Sequence, residues 1–89
     1  MAEPTLEEVG RVHGFFAHPS VAKVELTAPL KIGEVIYIKG HTTDFQQTVE
    51  SIHIEHQAVQ EAQAGQSIGL KVINRCRKHD VVYRLTGNP

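Results

Sequence analysis

Apolar and polar residues interleave in several short runs along this chain. Ala22, Val24 and Leu26 alternate with Lys23, Glu25 and Thr27. Ile68, Leu70 and Val72 interleave with Gly69, Lys71 and Ile73. A period of two places one set of side chains inward and the other outward, so both runs predict strands. Val9, Val12, Phe15 and Phe16 around Gly10 and Gly14 predict a first strand with a bend. Val35–Ile38 and Asp80–Leu85 are rich in β-branched and aromatic residues and predict two more. Phe45–Glu55 predicts the longest strand, but its pattern slips. Phe45 and Val49 occupy one face while Ile52 and Ile54 occupy the other, and a β-bulge near Glu50-Ser51 would restore a common facing.

Between these runs lie turn signals. His18-Pro19-Ser20, Ala28-Pro29 and Gly40–Asp44 interrupt the pattern. Met1–Leu6 reads as an unpaired lead-in, Gln57–Ala64 as a loop or one helical turn, and Thr86–Pro89 as a frayed end. Six short strands with no strong helix predict an all-β domain. A small six-stranded, partly or fully closed antiparallel barrel would remove exposed edges without helices to cover them. The expected domain is the whole chain, 1–89, with an ordered core of about 8–86. Its expected core contains Val12, Val24, Leu26, Ile36, Ile52, Ile54, Ile68, Leu70 and Val72.

Composition narrows the function classes. The 89 residues carry a formal net charge of −1, so the chain as a whole is no polyanion binder. The charge is uneven, however. Residues 71–89 hold Lys71, Arg75, Arg77, Lys78 and Arg84 against Asp80 alone. Cys76 is the single cysteine, which excludes an internal disulfide and a cysteine-based zinc site and fits a cytoplasmic protein. Met1-Ala2-Glu3-Pro4 has no signal-peptide character, and apolar runs are too short to span a bilayer.

The candidate chemistry is sparse. His53 and His56 could join His41 with Asp44 or Glu55 in a metal or acid–base site, but no H-x-H or H-E-x-x-H spacing exists, and exposed polar positions are the favoured reading. A small histidine and carboxylate enzyme is therefore the weakest functional class, and no catalytic residue, metal or cofactor is expected. Cys76 between Arg75 and Arg77 has cationic neighbours that lower a thiol pKa, but no oriented base is visible. Phe15, Phe16 and Phe45 could stack on bases, although core packing is the commoner fate of Phe. Arg75, Arg77 and Lys78, with Lys71 and Arg84 nearby, form the best binding candidate, a basic rim able to contact phosphates.

Three stretches carry a resemblance. They are Leu30-Lys31-Ile32-Gly33-Glu34, Val49-Glu50-Ser51-Ile52, and Glu61 through Leu70. With Val9-Gly10-Arg11-Val12, they resemble the β-barrel second domain of elongation factor Tu and related translational GTPases. Within that superfamily the chain resembles small stand-alone translation-elongation-factor-like proteins, through Lys39–Phe45 and Ile54–Gln57. It is also similar, less closely, to the C-terminal domain of collagenase-like peptidases and tRNA-modifying enzymes. The resemblance gives the glycines turn roles: Gly33 reverses the chain, Gly65 ends the Glu61–Ala64 segment, and Gly69 leaves a strand position open to close approach. It does not carry nucleotide hydrolysis across, because no G-x-x-x-x-G-K-[ST] loop is present.

The resulting expectation is a non-enzymatic, translation-related module that contacts tRNA or ribosomal RNA, or a translation-related protein. Nucleotide and membrane are not expected partners. The alternative is a protein–protein adaptor docking on a separately encoded enzyme or GTPase.

Overall fold

A computed structural model describes residues 5–17 and 20–86. Within them the chain is all β, with ten strands and no helix. The strands are β1 (Thr5–Ala17), β2 (Ser20–Leu26), β3 (Leu30–Lys31), β4 (Val35–Lys39) and β5 (Asp44–Thr48), followed by β6 (Ile52–Ile54), β7 (Gln57–Val59), β8 (Glu61–Ala62), β9 (Ser67–Lys71) and β10 (Val81–Thr86). Eight of them form one sheet in the order β5-β4-β10-β1-β2-β9-β6-β7, and β3 pairs with β8 separately. Every pairing is antiparallel.

The first strand organises the sheet. It pairs with β10 on one side and β2 on the other, and its register shifts once against each, between Glu8 and Gly10 and between Val12 and Gly14. An extra residue in a strand turns the following side chains to the other face. Val9 and Val12, three positions apart, are consequently both buried. The strand also begins at Thr5, paired with Thr86, so Thr5 and Leu6 are not a free lead-in.

The slip in Phe45–Glu55 has a different resolution from the expected bulge. The run is two strands with a break at Val49–Ser51. β5 ends the sheet beside β4, and β6 lies on the opposite side between β9 and β7. Val49 is buried in the crossing between them. The Gln57–Ala64 segment forms two short strands, β7 and β8, in place of a loop or helical turn. The His18-Pro19 turn lies outside the described residues.

The ladder of strand pairs does not close on itself: β5 and β7 remain its two end strands. Side-chain and loop hydrogen bonds tie the ends inward. Gln47 on β5 donates from Nε2 to Lys71 O at 2.8 Å and accepts the Ile73 N–H on Oε1 at 2.8 Å. Gly33 N donates to Val49 O at 2.9 Å, and Ile32 N donates to Gln60 O at 3.0 Å. The core they enclose includes Val9, Val24, Leu26, Ile36, Ile38, Ile52, Leu70 and Val82, with Phe15, Phe45 and Ile54 packed against it.

Candidate functional site

The concave feature with the richest chemistry lies on the outer face of β1, β2, β9 and β6. Cross-strand pairing fixes its centre. Gly14 opposes Lys23, Lys23 opposes Gly69, and Gly69 opposes His53. Lys23 and His53 both project outward from a row whose middle position has no side chain. The gap at Gly69 is real but tight: a Cβ there would lie 3.3 Å from Val21 Cγ1 and 3.9 Å from His53 Cβ.

Around this floor runs a groove of about 660 Å³. Phe16 and Val21, near the tip of the β1–β2 hairpin, form one wall, and Glu55 and His56 form the other. Phe16 is 52% exposed, and Lys23 Nζ stands 5.0 Å from the centroid of its ring, within cation–π range. At one end Ser67 Oγ lies 2.9 Å from His13 Nε2.

Glu55 and His56 are the two loop residues of the β6–β7 hairpin, with φ of 50° and 68°. Such two-residue loops twist in register with their strands when both central residues are left-handed, which Asn-Gly does at least cost. A glutamate and a histidine adopt that backbone against their preference. The turn aims both side chains at the groove rim, where strain of this kind is most often found. Sequence periodicity missed the hairpin because its loop lacks glycine and asparagine.

The five residues of the expected basic rim do not act as one group. Arg75, Arg77 and Lys78 are exposed in the loop between β9 and β10, and Lys71 is exposed at the end of β9. Arg84 is committed elsewhere. Its side chain is 18% exposed, with Nη2 3.0 Å from Glu7 Oε1, Nη1 3.1 Å from Glu34 Oε2, and Nη1 donating to Pro29 O at 2.7 Å. Burial opposes its charge, but the Glu7 hydrogen bond and the Glu34 carboxylate outweigh that and hold its pKa above the ordinary value.

The loop itself is anchored from below. Asp80 is 3% exposed, and its Oδ2 accepts the Arg77 backbone N–H at 2.8 Å. Cys76 is buried, and burial with the nearby Asp80 charge pushes its thiol up to about 12. Arg75 and Arg77 therefore do not activate it. His41 lies in the β4–β5 loop and His56 in the β6–β7 turn. Among the described residues, no group of three His, Cys, Asp or Glu side chains could hold a metal ion. Gly33 and Gly65 have φ of 98° and 90°, values natural to glycine alone.

No family model matches the chain. It is 42% identical over 79 residues to an uncharacterized protease of Methanocaldococcus jannaschii, a match covering 88% of this chain and 19% of that protein. It is 38% identical over 78 residues to a Porphyromonas gingivalis protein named collagenase, covering 85% of this chain and 22% of the relative. The chain thus spans about a fifth of the length of these relatives. Its fold is that of the C-terminal domain of a Geobacillus thermoleovorans protein described as a U32 peptidase. The TM-score is 0.82 at 21% identity, covering 88% of this chain and 91% of that one. A selenomethionine variant of the same domain gives a TM-score of 0.81 at 22% identity, covering 85% and 96%.

These matches overturn the resemblance placed first on sequence. The relatives are named as proteases, not as stand-alone elongation-factor-like proteins. The expectations of a translation-related RNA-binding module, of an adaptor, and of a non-enzymatic protein fall with it. The similarity to collagenase-like peptidases, placed second on sequence, is the one the matches support. Glycine and turn patterns pointed to an all-β fold, and a fold class alone does not distinguish its users.

Proposed function

We propose that this chain is a β module of a peptidase-family protein and serves peptide-bond hydrolysis by handling the polypeptide substrate. The observation that carries this reading is the 42% identity to a protease across 88% of the chain. The groove over Gly69 supplies a surface suited to holding a polypeptide, because it is concave, largely apolar, and rimmed by a few polar groups. The P. gingivalis collagenase offers the direct test. Its matched segment is deleted in one variant and replaced by this chain in another. Cleavage of denatured collagen should be lost on deletion and recovered in the chimera. A folded chimera no more active than the deletion would refute the reading.

We also infer that the sheet curls into a barrel. The Gln47 amide supports this reading, since its two hydrogen bonds stand where a backbone ladder between β5 and the end of β9 would run. So do the Gly33–Val49 and Ile32–Gln60 hydrogen bonds, which draw the chain after β5 and after β7 toward the β3 turn. Hydrogen exchange tests it: the Ile73 amide should exchange slowly although its side chain is exposed.

A further inference from the structure

We propose that the end of the molecule carrying the β1–β2 hairpin and the β9–β10 connection adsorbs to an anionic phospholipid surface. This goes beyond the peptidase reading and does not depend on it.

Strand pairing defines that end. Phe16 opposes Val21, and Val21 opposes Lys71, so the three form one outward row across β1, β2 and β9. Ile73 follows two positions after Lys71. A shallow pocket lined by Phe15, Ala17, Ile73 and Arg75 joins the hairpin to the connection. Two bulky apolar residues stand out of this end, Phe16 at 52% exposure and Ile73 at 69%. Ile73 is not loose. Gln47 accepts its N–H and donates to the Lys71 carbonyl, each at 2.8 Å. The fold therefore holds an isoleucine out in water, in a position where a contact could cover it.

Charge is segregated to the same end. Residues 13–23 and 71–79 contain no Asp or Glu. They carry Lys23, Lys71, Arg75, Arg77 and Lys78, all exposed. Further from the hairpin tip the sign reverses, with Glu7 and Glu8 on β1 and Glu25 on β2. The flanking acids are Glu55, across the groove from Phe16, and Glu50, in the crossing from β5 to β6.

The combination selects the partner. A second copy of this chain would set cations against cations. A nucleic acid is gripped by flat faces, and Ile73 has none. An anionic bilayer uses both features: lipid phosphates meet the cations, while the apolar side chains enter the boundary beneath the headgroups. Lysine and arginine can keep their charge among the headgroups while their stems lie along the apolar zone. The lack of a long apolar run bears on crossing a bilayer, not on adsorbing to one.

The test is sedimentation of the full chain with vesicles of phosphatidylcholine alone, or of phosphatidylcholine with about a third phosphatidylglycerol. Binding to the anionic vesicles alone is expected, and it should weaken as salt rises. Ile73→Ser should weaken it at least about tenfold, because the apolar insertion is lost. Replacing Arg75, Arg77 and Lys78 together by Gln should also weaken it at least about tenfold, because the attraction is lost. All four side chains are exposed, so both variants keep the fold, which a thermal melt checks. No binding to anionic vesicles at millimolar lipid, equal binding to neutral ones, or Ile73→Ser binding as the parent does would each overturn the proposal. Retention on immobilised poly-glutamate as tight as on the vesicles would also overturn it and assign this end to an acidic protein.

Discussion

Gln47 accepts the backbone N–H of Ile73 at 2.8 Å, across the gap between the end strand β5 and the chain leaving β9. The same amide donates to Lys71 O. One side chain thereby bonds two main-chain groups, one at the end of β9 and one just beyond it. Gln47→Leu keeps the approximate volume and removes both bonds. It should cost about 0.5–1.5 kcal/mol, the net worth of hydrogen bonds whose groups water can reach once they are broken. Urea unfolding measures this, and an unchanged midpoint would show that the seam contributes nothing.

Two glycines of β1 should respond differently to the same substitution. A Cβ on Gly10 would lie 2.7 Å from the Glu25 carbonyl oxygen and 2.8 Å from Val24 Cγ1. The backbone of a paired strand cannot move away locally, so Gly10→Ala should cost about 1–3 kcal/mol through overpacking. At Gly14 the first contact is Lys23 Cδ at 3.4 Å, an ordinary distance to a flexible chain. Gly14→Ala should be near neutral. Paired thermal melts decide the matter, and equal losses would contradict the assigned register.

Cys76 should resist alkylation at pH 8 in the folded chain and react once urea unfolds it. Burial first, and the Asp80 charge second, raise its pKa from 9.0 to about 12, so the nucleophilic thiolate is scarce. The same shift has a stability consequence. Between pH 9 and 12 the unfolded chain releases a proton that the folded chain keeps. Stability from this group is complete below pH 9 and declines as pH rises toward 12. Cys76→Ala should flatten that part of the pH profile, and an unaltered alkaline slope would refute the assignment.

Leu70 is buried on β9 and faces Ala22 on one side and Ile52 on the other. Leu70→Ala should cost about 2–5 kcal/mol, from lost burial and the cavity left behind. For a domain of this size that is a large share of the total. A melting temperature within a degree of the parent would place Leu70 outside the core.

The all-β character, the inward facing of Val24, Leu26, Ile68, Leu70 and Val72, and the bend near Gly10 and Gly14 were legible along the chain. Each depends on a residue and its immediate neighbours, because alternation across a strand is a property of local backbone geometry. Partner choice is not local. Phe45–Glu55 reads as one strand since no glycine or proline interrupts it, and only packing sends β5 and β6 to opposite parts of the sheet. Arg84 looked like a free cation in a basic run, yet Glu7 and Glu34, 77 and 50 positions away, neutralise it. The groove arises in the same way: Lys23, Gly69 and His53 are distant in sequence and adjacent in the sheet. The cleanly alternating strands, β2 and β9 above all, were therefore set by the sequence itself, through near-neighbour sterics and hydrophobic alternation. Strand order, the Gln47 seam and the groove were decided by tertiary structure, because they consist of contacts whose partners the chain's local chemistry does not specify.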